Sequence, residues 1–200
     1  RYQRSRPENS LGVATLKIAS RGTTGQGKRF QDAVYEKLGT VDLGDQAALA
    51  ARVASRPDID ESRVGIYGFS YGGYLSALGL LKHPEVFRFA VSGAPVVDWR
   101  YYDSIYTERF MRTPHENADG YDNNSPINHA EKLEGPLLLV HGSADDNVHF
   151  QNAMEMVDAL VGAGKDFDFF AYPNRNHGIY GGNTRLHLFS MMLDFVKENL

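Results

Sequence analysis

Short apolar runs alternate with longer stretches of helical spacing along most of this 200-residue chain. The apolar runs are bounded by turn residues and predict strands, at Val13–Ala19, Arg63–Tyr67, Phe89–Ser92, Leu137–His141 and Phe167–Tyr172. The stretches that predict helices lie at Asp42–Ala54, Gly73–Leu81, Phe150–Val161 and Thr184–Asn199. This alternation predicts an α/β fold, in which a mostly parallel sheet carries helices on both faces.

One region interrupts the alternation. From Asp98 to about Glu134 the chain is polar and rich in aromatic residues, and it has no strand pattern. We interpret this region as an insertion between the strands Phe89–Ser92 and Leu137–His141.

The pentapeptide Gly68–Gly72 reads G-x-S-x-G and lies between a predicted strand and a predicted helix. That context is typical of a nucleophile elbow, a tight turn that presents a serine in a strained backbone conformation. Ser70 is therefore the candidate nucleophile, and the backbone N–H of Tyr71 is the candidate oxyanion donor. Glycines on either side are expected to let strand and helix approach without Cβ clashes.

A nucleophilic serine needs a general base, and the base needs a carboxylate to orient it. In proteins with this elbow, the acid and then the histidine follow the serine along the chain, each after a later strand. Asp145 follows the run Leu137–His141, and His177 follows the run Phe167–Tyr172. We choose Asp145 over its neighbour Asp146, which we interpret as a solvated turn residue.

His141 precedes the acid, so it breaks this order, and we interpret it as structural. Gly22, Gly25 and Gly27 follow a predicted strand, but their spacing matches no phosphate-binding loop, so a plain turn is favoured. The acidic group Asp58, Asp60 and Glu61 is interpreted as a solvated turn rather than a metal site. We expect no cofactor, because no His or Cys cluster has the spacing of metal ligands.

Composition sets outer limits on function. The chain is 42% hydrophobic and 23% charged, which is typical of a soluble globular domain. A net charge of −4 gives no case for binding nucleic acid or an anionic membrane surface. The absence of cysteine excludes disulfides and thiol catalysis.

Several stretches resemble the prolyl oligopeptidase family, and its dipeptidyl peptidase IV branch in particular. They extend from about Gly12 onward and are Arg21–Gly27, Lys37–Gly39 with Asp45-Gln46, Gly68–Tyr74, Tyr101–Met111, His141–Gln151 and Asn176–Gly178. The resemblance implies an α/β-hydrolase fold, with residues 1–200 as the C-terminal part of one peptidase catalytic domain. It also implies an upstream β-propeller domain that this chain does not contain.

An α/β-hydrolase usually has about eight strands, with the elbow after the fifth. Only one predicted strand, Val13–Ala19, precedes the elbow strand here. We therefore expect the chain to lack the early strands and Val13–Ala19 to lie at the edge of the sheet.

The resemblance further implies a serine exopeptidase that hydrolyses peptide bonds after proline, or after alanine, and so releases dipeptides from the amino end of peptides. Its partners would be peptide substrates and, in the full-length protein, a second copy in a homodimer. Relatives of this kind are periplasmic, secreted or membrane-anchored, although the chain itself carries no signal or anchor. In the family the second oxyanion donor is an upstream tyrosine, and no residue here matches it.

A specificity pocket is also implied by the resemblance. Tyr102 and Tyr106 are four residues apart, so on a helix they would share a face. The residues expected to hold the substrate beside Tyr71 are Trp99, Tyr102, Tyr106, Asn147 and Val148. Without the resemblance, simple aromatic packing of the insertion would be the favoured interpretation.

Three alternatives remain open at this stage. A carboxylesterase or another acyl hydrolase of the same fold would use the same three residues, and so would a tripeptidyl or acylaminoacyl peptidase. An interaction-only homologue would be expected to have lost Ser70.

Overall fold

The computed structural model describes residues 12–200, and they contain one four-stranded sheet with the order β1-β2-β3-β4. All three strand pairs are parallel. The strands are β1 (Gly65–Phe69), β2 (Phe89–Gly93), β3 (Leu137–Gly142) and β4 (Asp168–Tyr172). Parallel neighbours require crossover connections, and so the carboxyl ends of all four strands meet at one edge of the sheet.

Helices supply these crossovers. The α-helices are α1 (Lys28–Gln31), α2 (Val41–Ala54), α3 (Tyr71–Lys82), α4 (Ser104–Met111), α5 (Ala118–Asn123), α6 (Gln151–Gly162) and α7 (Thr184–Glu198). The 3₁₀ turns are Asp32–Val34, Glu61–Arg63, Trp99–Tyr101 and Pro126–Lys132. The insertion between β2 and β3 thus folds into α4, α5 and two 3₁₀ turns.

The sheet is covered on both faces, as the strand pattern predicts. In β3 every residue is buried, and alternate side chains enter different clusters. Leu137 and Leu139 pack with residues of α3 and α6, whereas Leu138 and Val140 pack with residues of α7. Burial on both faces explains why this strand reads as an unbroken apolar run.

A third apolar cluster joins the insertion to the helix that follows Ser70. Trp99, Met111 and Tyr121 from the insertion pack with Tyr74 and Leu78 of α3. The insertion is therefore anchored to the sheet through α3.

The prediction of a strand at Val13–Ala19 is wrong, since residues 13–20 have no regular secondary structure. A strand requires a hydrogen-bonded neighbour, and no other part of residues 12–200 pairs with this segment. The Gln46 side chain of α2 donates to the carbonyl of Ile18 instead. Strand β1 is consequently the edge of the described sheet, and Tyr67 on it is half exposed.

The other predicted elements are present with slightly different bounds. Strand β1 lies a little later than Arg63–Tyr67, and helix α3 extends beyond Gly73–Leu81 at both ends. Across residues 12–200, no helix combines the length and apolar character needed to cross a membrane.

Candidate active site

Ser70 lies at the junction of β1 and α3, because β1 ends at Phe69 and α3 begins at Tyr71. Its backbone has φ 58° and ψ −117°, a left-handed conformation that residues with a side chain rarely adopt. The Ser70 amide donates to the carbonyl of Gly93 on β2 at 2.8 Å. The neighbouring strand therefore helps to hold the strained turn, whose backbone matches a nucleophile elbow.

The glycines around the turn do not contribute equally. A Cβ on Gly68 would lie 2.3 Å from the backbone of Gly72, and a Cβ on Gly73 would lie 2.3 Å from the carbonyl oxygen of Gly93. A Cβ on Gly72 would meet no atom within 4 Å. The close approach therefore requires Gly68 and Gly73, and the expectation that Gly72 itself relieves a clash is wrong.

Tyr71 is the first residue of α3, so its amide has no acceptor within the helix. The amide is thus available to a group held beside Ser70. The Tyr71 hydroxyl donates to Asp42, whose other carboxylate oxygen accepts the Gly39 amide at 2.9 Å.

Asp42 and Tyr71 form a polar pair in which Asp42 is buried and Tyr71 is partly buried. Burial raises the pKa of Asp42, and hydrogen bonds from Tyr71 and from backbone amides only partly offset this effect. Burial, followed by the charge of Asp42, raises the pKa of Tyr71 well above its ordinary value. The sequence pattern indicates only that Asp42 lies in a helix, because nothing in the local pattern indicates a partner 29 residues away.

Asp145 lies in the loop after β3 and is buried. Its Oδ1 accepts the amides of Asn147 and Val148, each at 3.0 Å. Its Oδ2 lies 2.7 Å from Nδ1 of His177 and 3.2 Å from Nε2 of His141. Burial raises the pKa of Asp145, but the hydrogen bonds from both histidines and from the backbone outweigh it and hold this pKa well below its usual range.

His177 lies in the loop after β4, with its side chain about one quarter exposed. Its ring packs against Phe69, the residue before Ser70, with ring centroids 5.4 Å apart. Asp145 contacts this ring, whereas Asp146 is exposed. No hydrogen bond joins Ser70 to His177 within the described part of the chain. Such contacts often tighten only when substrate is bound.

The predicted pocket residues from the insertion form one aromatic cluster. Trp99 stacks on Tyr106 with ring centroids 5.9 Å apart, and Tyr102 meets Tyr106 edge to face at 5.3 Å. Tyr71 lies 5.7 Å from Trp99. Trp99 is only 1% exposed, so it forms a layer beneath the two tyrosines.

The prediction that Tyr102 and Tyr106 share one helix face is wrong. Helix α4 begins at Ser104 after the cap residue Asp103, so Tyr102 precedes it. The two rings meet because the turn Trp99–Tyr101 directs Tyr102 back toward the helix.

The acid loop and the insertion are joined by a hydrogen bond. The Tyr102 hydroxyl donates to the side-chain carbonyl of Asn147 at 2.8 Å. Val148 is fully buried and packs in the same cluster as Trp99 and Tyr71. The structure therefore brings all the predicted pocket residues to the side of the molecule that holds Ser70.

A separate groove of about 530 Å³ lies between β4 and α7. It is lined by residues such as Phe170, His187, Met191 and Phe195 and includes none of the predicted site residues. Its size alone gives no reason to prefer it, because it lacks a nucleophile paired with a base. A cluster of three or more metal-binding side chains does not occur among residues 12–200.

Residues 4–200 match the Prolyl oligopeptidase family. The chain belongs to this family. Prolyl endopeptidase FAP of Mus musculus is 42% identical over 190 residues, which cover 94% of this chain and 25% of that protein. Human dipeptidyl peptidase 8 is 40% identical over 204 residues, which cover 100% of this chain and 23% of that protein.

Solved structures agree with the fold. The crystal structure of Porphyromonas gingivalis dipeptidyl peptidase 4 matches with a TM-score of 0.88 and 48% identity, over 90% of this chain and 26% of that one. A putative dipeptidyl aminopeptidase IV from Bacteroides ovatus matches with the same TM-score at 35% identity, over the same shares of the two chains. The α/β-hydrolase fold is thus confirmed, and the chain spans about a quarter of the length of these relatives.

Proposed function

We propose that the chain is the C-terminal part of the catalytic domain of a serine dipeptidyl peptidase that cleaves after proline, and more slowly after alanine. In this proposal the full-length protein also contains an upstream β-propeller domain and forms a homodimer. The observation that carries the proposal is the 2.7 Å contact between Asp145 and the His177 ring, which also packs against Phe69, the residue before Ser70.

The proposed mechanism assigns one role to each group. Ser70 Oγ attacks the carbonyl carbon of the scissile peptide bond, while His177 accepts its proton through Nε2. The tetrahedral intermediate then collapses, and His177 returns the proton to the leaving amine. Water repeats the sequence on the acyl-enzyme and releases the dipeptide, so that Ser70 is regenerated.

Asp145 would act through His177. Its contact with Nδ1 fixes the tautomer in which Nε2 carries a lone pair toward the serine. Its low pKa keeps the carboxylate charged throughout the working pH range, so it also stabilises the imidazolium. The Asn147 and Val148 amides hold the carboxylate in this orientation.

The developing oxyanion requires preorganised donors. The free amide of Tyr71 at the start of α3 is the donor proposed from this chain. A second donor would come from outside these residues, and loss of one donor typically reduces kcat by about 10²–10³-fold.

Specificity is proposed to arise from the aromatic cluster. Tyr102, Tyr106 and Val148 would enclose a small flat slot above Trp99, and a proline ring fills such a slot better than an alanine methyl group. Asn147 would contact a substrate carbonyl beside the slot. Family relatives named as dipeptidyl peptidases support this assignment.

Labelling by a fluorophosphonate probe tests the nucleophile. In the full-length protein we expect the probe to label Ser70, and Ser70→Ala to abolish both labelling and turnover of a Gly-Pro amide reporter. Ser190→Ala is the matched control, because Ser190 is exposed on α7 and belongs to the separate groove. Labelling of another serine would overturn the assignment.

A carboxylesterase is the second candidate, since it would use the same three residues. The same preparations separate the two functions. Turnover of a simple ester that depends on Ser70, without turnover of any dipeptidyl amide, would replace the peptidase with an esterase.

A further inference from the structure

His141 is a buried histidine directly beneath the proposed acid, and the proposed mechanism does not use it. It lies in β3, and its side chain is fully buried. Its Nε2 lies 2.8 Å from the carbonyl oxygen of Val148 and 3.2 Å from Oδ2 of Asp145. Its Nδ1 is buried and has no hydrogen-bond partner.

These contacts determine which nitrogen carries the hydrogen. The two atoms close to Nε2, the carbonyl oxygen of Val148 and Oδ2 of Asp145, are both acceptors. A lone pair on Nε2 would be repelled by these oxygens, so Nε2 must carry the hydrogen and donate it. A hydrogen on Nδ1 would be a buried donor with no acceptor, which is costly. The 2.8 Å hydrogen bond goes to Val148, and Asp145 Oδ2 lies 3.2 Å from the same nitrogen, so the N–H also attracts the charge of the carboxylate.

We infer that His141 is a positioning residue, neutral with its hydrogen on Nε2, which holds the Asp145–Val148 loop and moderates the charge that Asp145 presents to His177. This inference rests on the proposed function. Oδ2 of Asp145 also lies 2.7 Å from Nδ1 of His177, so both histidines contact the same carboxylate oxygen. No proton leaves His141 in the reaction.

The loop that His141 holds serves two parts of the site. Its first residue is the acid, and its last residue, Val148, packs in the aromatic cluster. Asn147, between them, accepts a hydrogen bond from the Tyr102 hydroxyl. By donating to the carbonyl of Val148, His141 therefore holds the acid in position relative to the proposed slot.

The pH dependence of the reaction distinguishes this role from simple packing. Removal of the His141 hydrogen concentrates negative charge on Oδ2, while the two backbone amides still hold Oδ1. A more negative Oδ2 stabilises the imidazolium form of His177, so the acid limb of kcat/KM moves to higher pH. Tyr102 interacts with the charge of Asp145, and Asp146 and His149 lie in the same loop; all three remain unchanged in every variant below.

Two substitutions of His141 by residues of similar size test whether it acts as a neutral hydrogen-bond donor or as a cation. In His141→Gln the amide nitrogen can occupy the place of Nε2, and in His141→Met no donor remains. For the full-length enzyme we expect His141→Met to lower kcat about tenfold, an effect typical of the loss of one buried hydrogen bond, and to shift the acid limb upward. We expect His141→Gln to restore the wild-type acid limb and most of kcat.

Phe150→Leu is the packing control, because Phe150 meets the His141 ring edge to face at 5.7 Å and makes none of these hydrogen bonds. It should leave the acid limb in place. An equal upward shift in the Gln and Met variants would mean that His141 acts as a cation and would overturn the inference. An unchanged acid limb in His141→Met would leave only a structural role and would also overturn it.

The wild-type protein provides a measurement that does not depend on activity or on folding of the variants. In ¹⁵N spectra of histidine-labelled protein at the pH of the activity assay, we expect one histidine to carry its hydrogen on Nε2 alone, as the contacts of His141 require. A hydrogen on Nδ1 of His141, alone or together with one on Nε2, would contradict the inference. Loss of labelling at Ser70 would instead count against the proposed function alone.

Discussion

The candidate site has two halves that are positioned in different ways. The topological half is carried by the loops that follow the strands, and the aromatic half is carried by the insertion between β2 and β3. The strand-end loops place Ser70, Asp145 and His177 through backbone topology, since the carboxyl ends of β1, β3 and β4 lie at one edge of a parallel sheet. The insertion places Trp99, Tyr102 and Tyr106 through contacts between aromatic rings on two short helical turns.

This difference decides how each half responds to substitution. A residue placed by topology keeps its position when its side chain is changed, so a variant there reports on chemistry. A residue placed by ring packing has neighbours that depend on it, so a variant there changes the shape of the slot.

The largest effect is expected at the candidate catalytic residues that the strand-end loops position. Asp145→Asn preserves the shape of the side chain but removes the charge and the acceptor pattern that select the His177 tautomer. We expect kcat to fall by about 10⁴-fold, as for the equivalent change in a serine protease. Steady-state kinetics on a Gly-Pro reporter measure this loss.

Asp146→Asn is the control for this prediction, because Asp146 is the adjacent exposed carboxylate. It should leave kcat close to the wild-type value. A large loss in Asp146→Asn together with a small loss in Asp145→Asn would show that the wrong acid was chosen.

The next effect tests the insertion. A proline ring buries a few more methylenes than alanine, each worth about 0.8 kcal/mol, so we expect a preference of tens-fold in kcat/KM. Tyr106→Ala should lose most of this preference, because Tyr106 stacks on Trp99 and contacts Tyr102. Gly-Pro and Gly-Ala reporters on both enzymes measure the ratio.

Ile105→Ala is the matched control for Tyr106→Ala, since Ile105 is the preceding residue of α4 and is 88% exposed. It should keep the preference. Equal turnover of both reporters by the unmutated enzyme, or full preference in Tyr106→Ala, would remove the tyrosine from the specificity site.

A smaller effect, on stability, is expected at the glycines of the nucleophile elbow. Gly68→Ala forces a Cβ into the Gly72 backbone, and such overpacking costs about 1–3 kcal/mol of unfolding free energy. Gly72→Ala has open space for its Cβ and should change stability by much less. Urea denaturation of both variants measures the difference, and equal destabilisation would mean that the elbow is not tight at Gly68.

The sequence predicted the strands that lead to the candidate site well, for a physical reason. Strands β2, β3 and β4 are apolar runs bounded by turn residues, and the order of strands fixes which loops meet. The run Val13–Ala19 looked the same but lacks a hydrogen-bonded neighbour, and no local pattern reports a missing partner. Side-chain hydrogen bonds were missed because residue spacing does not indicate them, both within a loop, as between His141 and the carbonyl of Val148, and across the fold, as between Asp42 and Tyr71.

The last prediction concerns Asp42, which accepts a hydrogen bond from the hydroxyl of Tyr71, the residue after Ser70. Burial raises the pKa of Asp42 above the value of about 4 expected in the unfolded chain. The folded state then binds this proton more tightly, so the contribution of Asp42 to stability is present at low pH and is lost as pH rises through the raised pKa. Asp42→Asn, which cannot titrate, should therefore gain stability relative to the wild type as pH increases from about 4.

Asp45 on the same helix provides a control of opposite sign. The Arg21 side chain donates to its carboxylate and lowers the pKa of Asp45. Its stabilisation is present above the pKa of the unfolded carboxylate and is lost as pH falls through the lowered folded pKa. Urea denaturation of the wild type, Asp42→Asn and Asp45→Asn between about pH 2 and 8 measures both effects. Asp42→Asn should gain stability on the wild type as pH rises above about 4, whereas the wild type should gain on Asp45→Asn only as pH rises toward about 4 and should then stay parallel to it. An Asp42→Asn curve that stays parallel to the wild type above about pH 4 would mean that the pKa of Asp42 is not raised in the folded protein.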